Sequence, residues 1–506
     1  MNCLSKFSRS APWLVALALL APLWGQTPGQ GQEKGMPLSK VERKNRAPVS
    51  KEVLRVKLPR PVETTLENGL TLLVLEDRRL PTILVNLQVS GAGPIHEPSD
   101  RPGLAWITAQ MMREGTKTRN SRQIAEQIEQ LGASITVSSP FGSSGALLSA
   151  SGLSDNFDTW FALAADILLN PSFAADELQR LRERQKAALR NQRSQPGFLA
   201  SERFSRAVFG SHPAAVVSPT VESLDALTPE MLAAWHKERY VPQLATMGIA
   251  GDISASEAIA KVKKWLGGWT KTDLKLTLPP DPKPAETKKI YLVDRPGSVQ
   301  TTVTMGNIAV KRTDPDYFAV LVMNRVVGQG PASRLFLNLR EEKGYTYGVY
   351  SGFTALRYPG PWQAGGDMRT EVTEGAMTEF LREIARIRDE KVPEAELEEA
   401  KRSVVANFAL QLEQPAAVLS NWIIGKLYDL PADYWDTYPA RVMAITADEV
   451  QRVARKYIVP EALQIAAVGD GGKIKAVLEK FGAVEVFDSE GRPVRPAVAT
   501  TPPPNP

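Results

Sequence analysis

Sulfur and imidazole are scarce in this chain: its 506 residues hold one cysteine, Cys3, and three histidines, His96, His212 and His236. A single thiol excludes an internal disulfide and a thiolate metal cluster. The three imidazoles lie far apart, none with a second His or clustered acids at ligand spacing. Structural or solvated roles are therefore expected for each, not metal binding. An excess of charge of one sign is also missing, since 61 basic residues stand against 56 acidic ones. That interspersed balance gives no electrostatic case for nucleic acid. The uncharged apolar stretch near the start, Ala11 to Leu23, is too short to span a bilayer with ease.

What is present begins at the ends. Lys6 and Arg9 precede that apolar stretch, and small and polar residues follow it near Gly25 and Gln26. Residues 1–25 therefore read as a secretory signal, with an uncleaved anchor as the alternative. Export to the periplasm or cell envelope is expected, with no integral membrane span in the mature chain. Cleavage would lower the formal charge from +5 to +3 and remove Cys3, which precedes the apolar run and so is not placed like a lipid acceptor. Residues 26–59, rich in Gln, Gly, Lys and Pro, and residues 491–506, ending in Pro-Pro-Pro-Asn-Pro, read as flexible tails.

A chain this long, 43% hydrophobic, exceeds what one compact core holds. Laid against itself at an offset of 218, it carries Val241-Pro242 onto Val459-Pro460, Gly251-Asp252 onto Gly469-Asp470 and Leu75-Glu76 onto Val293-Asp294. Two homologous halves follow, residues 60–270 and 287–490, joined by a linker over 271–286 that contains Leu278-Pro-Pro-Asp-Pro-Lys-Pro-Ala285. In the first half, Asn68-Gly69 marks a hairpin turn. Ile83, Val85, Leu87 and Val89 alternate with Asn86, Gln88 and Ser90, the pattern of a half-buried strand. Ser121 is placed to cap a helix carrying Ile124, Ile128 and Leu131, and two further helices, 155–169 and 174–193, flank the stop at Asn170-Pro171-Ser172. Each half is expected to be α+β, an antiparallel-rich sheet with helices packed on one face. Two such halves could enclose a cavity between their sheets and form half of a clamshell.

This order of elements, with the Asn68-Gly69 hairpin, Gly103-Leu104-Ala105, Leu169-Asn170-Pro171, Ser333-Arg334-Leu335-Phe336 and Gly469-Asp470, resembles the insulinase-like (pitrilysin and mitochondrial-processing-peptidase-like) metallopeptidases. In that family Gly-Leu-Ala is followed by His-x-x-Glu-His on a helix, two imidazoles for zinc and a carboxylate for general base. The same register here holds Trp106 for the first His, Ala109 for the base and Gln110 for the second His. The family's third ligand is a Glu on the long helix after the Asn-Pro stop, and no acidic residue lies between Arg184 and Ser201. The resemblance therefore implies no metal and no cofactor in this chain, with Trp106, Met111 and Met112 packing where the metal would be.

The second half keeps the family's other signature, Leu339-Arg340-Glu341-Glu342-Lys343-Gly344-Tyr345-Thr346-Tyr347-Gly348. By position, Arg340 and Tyr347 match the Arg and Tyr that reach the scissile peptide from the side opposite the zinc. A guanidinium and a phenol can donate hydrogen bonds to the oxyanion formed as water attacks a carbonyl. Read without the resemblance, Arg340 pairs with Glu341 or Glu342 and Tyr347 merely packs. Gly328-Gln329-Gly330-Pro331 resembles the glycine-bearing loop ahead of this motif without the longer glycine run, and it is no phosphate loop.

The expected function is a zinc-free accessory subunit of a heterodimeric peptidase, inactive alone. It lends Arg340 and Tyr347 to a zinc-bearing insulinase-like partner that hydrolyses peptides or unfolded polypeptides. The alternative is a non-hydrolytic structural or peptide-binding scaffold. An independent metallopeptidase with atypical ligands is the third reading.

Overall fold

The computed structural model describes residues 52–494; the expected signal, most of the N-terminal segment and most of the proline-rich tail lie outside the described residues. Among the described residues twelve strands form two six-stranded sheets. The first is built from β1 (Val62–Thr65), β2 (Thr71–Glu76), β3 (Thr82–Ser90), β4 (Ser134–Ser138), β5 (Gly145–Leu153) and β6 (Ala245–Gly251), in the order β1-β2-β6-β3-β5-β4. The second uses β7 (Lys289–Asp294), β8 (Gln300–Ile308), β9 (Thr346–Ala355), β10 (Pro359–Arg369), β11 (Gln464–Gly469) and β12 (Val484–Phe487), in the order β12-β7-β11-β8-β10-β9.

Five strands of each sheet correspond in order, and β2 and β7, like β3 and β8, begin 218 residues apart. The sixth does not: β1 joins by an antiparallel hairpin, whereas β12 arrives from the C-terminal end and pairs parallel to β7. The sheets are mixed, because β2 with β6 and β7 with β11 are also parallel. Between the sheets, residues 271–286 form no helix or strand.

Burial follows the sequence periodicity. On β3, Ile83, Val85, Leu87 and Val89 are buried while Leu84, Asn86 and Gln88 are half-buried. β11 has no exposed residue, which requires cover on both faces. That cover draws on helices of both halves. The first half contributes α1 (Leu104–Met111), α2 (Ser121–Gln130), α3 (Phe157–Leu169), α4 (Ala175–Arg193) and α5 (Pro196–Phe209). Of these, α5 crosses over to lie on β11, β8 and β7 of the second sheet, and the second half's Pro415–Leu427 helix lies reciprocally on β6 and β2. Gly248 of β6 permits that approach, since a Cβ there would stand 2.7 Å from Leu419 Cδ1. The matching contact seats Phe204 and Val208 of α5 against Ala466.

The halves thus share core residues: Leu73, Leu75 and Ala250 of the first sheet pack in one cluster with Leu419 and Ile423. Polar ties reinforce the join. Arg193 and Arg203 donate to the carbonyls of Ser489 and Gly491 at 3.0 and 2.9 Å, and the Arg203 guanidinium lies 3.6 Å from the Phe487 ring centroid. One boundary differs locally from expectation. The cap of α2 is Asn120, whose side chain accepts from the Gln123 N–H, and Ser121 instead donates to Glu177 at 2.7 Å.

Candidate functional site

The helix in the metal register, α1, is fixed at its start by a carboxylate from the preceding loop. Gly103, at φ 97°, supplies no side-chain cap. Glu97 takes that role, accepting the backbone N–H of Gly103 at 2.9 Å and that of Ala105. Burial pushes the Glu97 carboxyl up to about 7, against the N–H groups of Gly103, Ala105 and Trp106 that favour its ionised form.

Along α1, Leu104, Ala105, Ile107, Thr108, Ala109 and Met111 are buried, which leaves Trp106 and Gln110, one turn apart, on the half-exposed face. The Trp106 ring meets Phe141 at a centroid distance of 5.9 Å. Gln110 Oε1 accepts from Gln185 Nε2 at 2.7 Å, across the gap between α1 and α4. The helix expected to bear the third ligand therefore does face the second position, Gln110, but it brings a neutral amide. Ala109 is fully buried and offers no donor. The nearby acid, Glu114, is engaged by Arg184 at 2.6 Å.

Zinc requires imidazole, thiolate or carboxylate donors, so the residues here do not fit the ion that the register implies. Among the described residues no group of three or more His, Cys, Asp or Glu is placed to hold a metal. The pairing of Gln110 with Gln185 was not legible in the sequence, where only the lack of an acid on α4 could be read.

The histidines pack individually. His212 Nδ1 accepts the Ala214 N–H at 3.2 Å, and its ring lies 4.6 Å from that of Tyr358. His96 is held neutral by burial and by the charge of Arg239, its pKa lowered to about 4. His236 Nε2 lies 2.8 Å from the Leu168 carbonyl and the ring stacks on Tyr240. A carbonyl only accepts, so Nε2 carries the proton. Burial lowers the His236 pKa from 6.5 to about 4.

A measurable pH dependence follows from that depression. The stability His236 contributes is complete above pH 6.5, where folded and unfolded rings are both neutral, and is lost as pH falls toward 4 because only the unfolded ring takes up a proton. The shift amounts to about 3 kcal/mol. His236→Gln can keep a donor for Leu168 but does not titrate. Between pH 7.5 and 4.5, urea denaturation of the native chain should lose on the order of 3 kcal/mol more than that of the variant. Parallel losses would contradict this assignment.

Arg340 and Tyr347 are brought together. Arg340 lies within a π-helical turn, Phe336–Glu342. Gly344, at φ 61°, releases the chain into β9, where Tyr347 is the second residue. The turn is anchored by Asn338, whose Nδ2 donates to Glu379 at 2.9 Å and Glu383 at 2.8 Å. The Arg340 guanidinium lies 4.6 Å from the Phe336 ring and 5.1 Å from the Tyr347 ring, with Glu341 Oε1 at 3.6 Å. Tyr347 is 89% exposed, on the outermost strand of its sheet.

A cavity of about 470 Å³ does lie between the sheets, lined among others by Gln88 and Ser90 from one and Pro361 and Gln363 from the other. Neither Arg340 nor Tyr347 lines it.

Two family descriptions match the chain, "Insulinase (Peptidase family M16)" over residues 73–215 and "Peptidase M16 inactive domain" over residues 226–404. The chain has an insulinase-family (M16) fold. Its second sheet-bearing domain is of the inactive type, and the register read in its first holds Trp106, Ala109 and Gln110.

Among curated relatives, an "uncharacterized zinc protease", YmxG, of Bacillus subtilis is 22% identical over 358 residues, 70% of this chain and 85% of that one. Another "uncharacterized zinc protease", from Mycobacterium bovis, is 24% identical over 434 residues, 84% of this chain and 96% of its own length. A solved peptidase M16 inactive domain from Pseudomonas fluorescens superposes with a TM-score of 0.75 at 27% identity, covering 81% of this chain and 97% of that one. A Helicobacter pylori protease superposes at 0.74 with 18% identity over 81% of this chain and all of that one, a likeness of fold alone. The insulinase-family fold is thus present in both halves. Among the described residues no helix is long and apolar enough to cross a membrane.

Proposed function

We propose that this chain is the zinc-free accessory subunit of a two-subunit insulinase-like peptidase of the cell envelope, exported by its N-terminal signal and inactive alone. The observation that carries this reading is the contrast between the two halves. The metal register is filled by Trp106, Ala109 and Gln110, the last paired with Gln185, while Arg340 and an exposed Tyr347 stand side by side at the start of the edge strand β9.

A phenol and a guanidinium held together are suited to an oxygen that becomes negative during reaction. Tyr347 offers one O–H and Arg340 a fork of N–H groups, and both can donate to the carbonyl oxygen of a scissile peptide as it becomes an oxyanion. The ring contacts of Arg340 with Phe336 and Tyr347 orient the fork before substrate arrives. The rest of the chemistry, the activated water and its metal, falls to a zinc-bearing partner facing the β9 edge. The substrate is a peptide or unfolded polypeptide held extended between the subunits.

The test is reconstitution. The purified chain, the zinc-bearing partner and their mixture are each given a quenched fluorescent peptide; cleavage by the mixture alone is expected. Peptide binding by this chain unchanged by any partner, with no cleavage in the mixture, would point instead to a non-hydrolytic scaffold.

A further inference from the structure

A second cavity, of about 490 Å³, lies in the second half, independent of the Arg340 and Tyr347 site, between β9, the Tyr317–Val327 helix and the helices that follow 394. Its wall is aromatic, with Tyr317, Phe353, Phe408, Trp435 and Tyr438 among the lining residues. The charged side chains that line it are two arginines, Arg312 and Arg325, and no Asp or Glu.

Arg312 is 7% exposed. Its guanidinium lies 4.0 Å from the Tyr317 ring, 5.1 Å from that of Tyr434 and 5.6 Å from that of Trp435. The hydroxyls of Tyr317 and Tyr434 are its polar neighbours. Among the described residues no carboxylate lies within ion-pair distance of it, and its buried Nη1 has no hydrogen-bond partner. Arg325 stands at the same wall, tied through Nη2 to Ser403 Oγ, with the charge of Glu399 acting on it from outside the cavity lining.

A buried cation is ordinarily paired, because removing it from water costs far more than ring faces and hydroxyls return. Here the place of the anion is an open space bounded by aromatic surface, and the rim residues Gln329, Asn407 and Gln411 are exposed, so the space communicates with solvent. The volume is that of a small-molecule site.

We propose that this cavity binds an organic carboxylate with an aromatic or apolar body, the carboxylate seated on Arg312 and the body on the Tyr317, Phe408 and Trp435 rings. The same chemistry is offered by a free arylalkanoic acid and by the C-terminal carboxylate of a peptide ending in a large apolar residue. The guanidinium donates two parallel hydrogen bonds to a carboxylate, a geometry that an amide of the same shape cannot satisfy.

Isothermal titration of the full chain with 3-phenylpropionate, N-acetyl-leucyl-phenylalanine and the carboxamide of each separates the cases. Saturable binding of at least one acid is expected, with its amide at least about tenfold weaker. Preference for phenylpropionate identifies a free acid, and preference for the dipeptide identifies a chain terminus. Arg312→Lys, which keeps the charge and loses the fork, should weaken the acid by a similar factor without affecting the amide. No saturable binding of either acid, or equal binding of acid and amide by the native chain, would overturn the proposal. That outcome needs no variant to fold, and it leaves the role of Arg340 and Tyr347 untouched.

Discussion

Alanine in place of Arg340 should lower kcat/KM of the reconstituted complex by about 10²- to 10³-fold, the cost of one preorganised donor to a developing oxyanion. The fold should be indifferent to the change. The Arg340 side chain is about a third exposed, its ion pair with Glu341 is a long one at 3.6 Å, and one of the two rings it contacts, that of Tyr347, is exposed. Circular dichroism and the mixing stoichiometry are therefore expected to match the native chain while the rate falls. Arg340→Lys should recover only part of the rate, because an ammonium keeps the charge but cannot stack on Phe336 and Tyr347 or donate as a fork. Native activity in the alanine complex would remove Arg340 from the reaction.

The second large effect is on stability. Trp362, on β10, is fully buried and donates from Nε1 to Asn324 Oδ1 at 3.1 Å; the same oxygen accepts from Ser351 Oγ of β9 at 2.7 Å. Trp362→Ala deletes an indole that packs behind the strand carrying Tyr347 and takes one donor from a buried amide. The expected loss is about 3–5 kcal/mol by urea denaturation. Trp362→Phe retains most of the ring and should cost markedly less. Because β9 pairs with β10 alone, a lower threshold for proteolysis near Tyr347 should accompany the alanine change. A loss below about 1 kcal/mol would mean that this wall of the second half is not packed as described.

The repeated architecture was readable because strand periodicity and the turn residues survive in both halves. Asn68-Gly69 ends a hairpin whose β1 and β2 pair as expected, and β3 buries the four apolar residues that its alternation marks. What escaped is long-range. Nothing in the composition of α5 or of the Pro415–Leu427 helix says that each covers the other half's sheet; only Gly248, too small to hold that helix away, carries a trace of it. The π-helical turn under Arg340 was likewise invisible, since its support comes from Asn338 against Glu379 and Glu383, some forty residues on. At the metal register, substitution by Trp106, Ala109 and Gln110 is a local fact and was legible, whereas the meeting of Gln110 with Gln185 depends on how α1 and α4 pack. The cation of Arg312 gave no signal at all, because its lack of a counterion is a property of burial and not of neighbours in sequence.

Metal content offers the most direct trial. The native chain is dialysed against excess zinc, passed over a chelating resin and analysed for bound metal, beside a variant carrying Trp106→His, Ala109→Glu, Gln110→His and Gln185→Glu. An indole and neutral amides should retain far less than one zinc per chain, while restored imidazole and carboxylate donors on the same helices should approach one. A native chain that keeps a full equivalent through the resin would contradict the account.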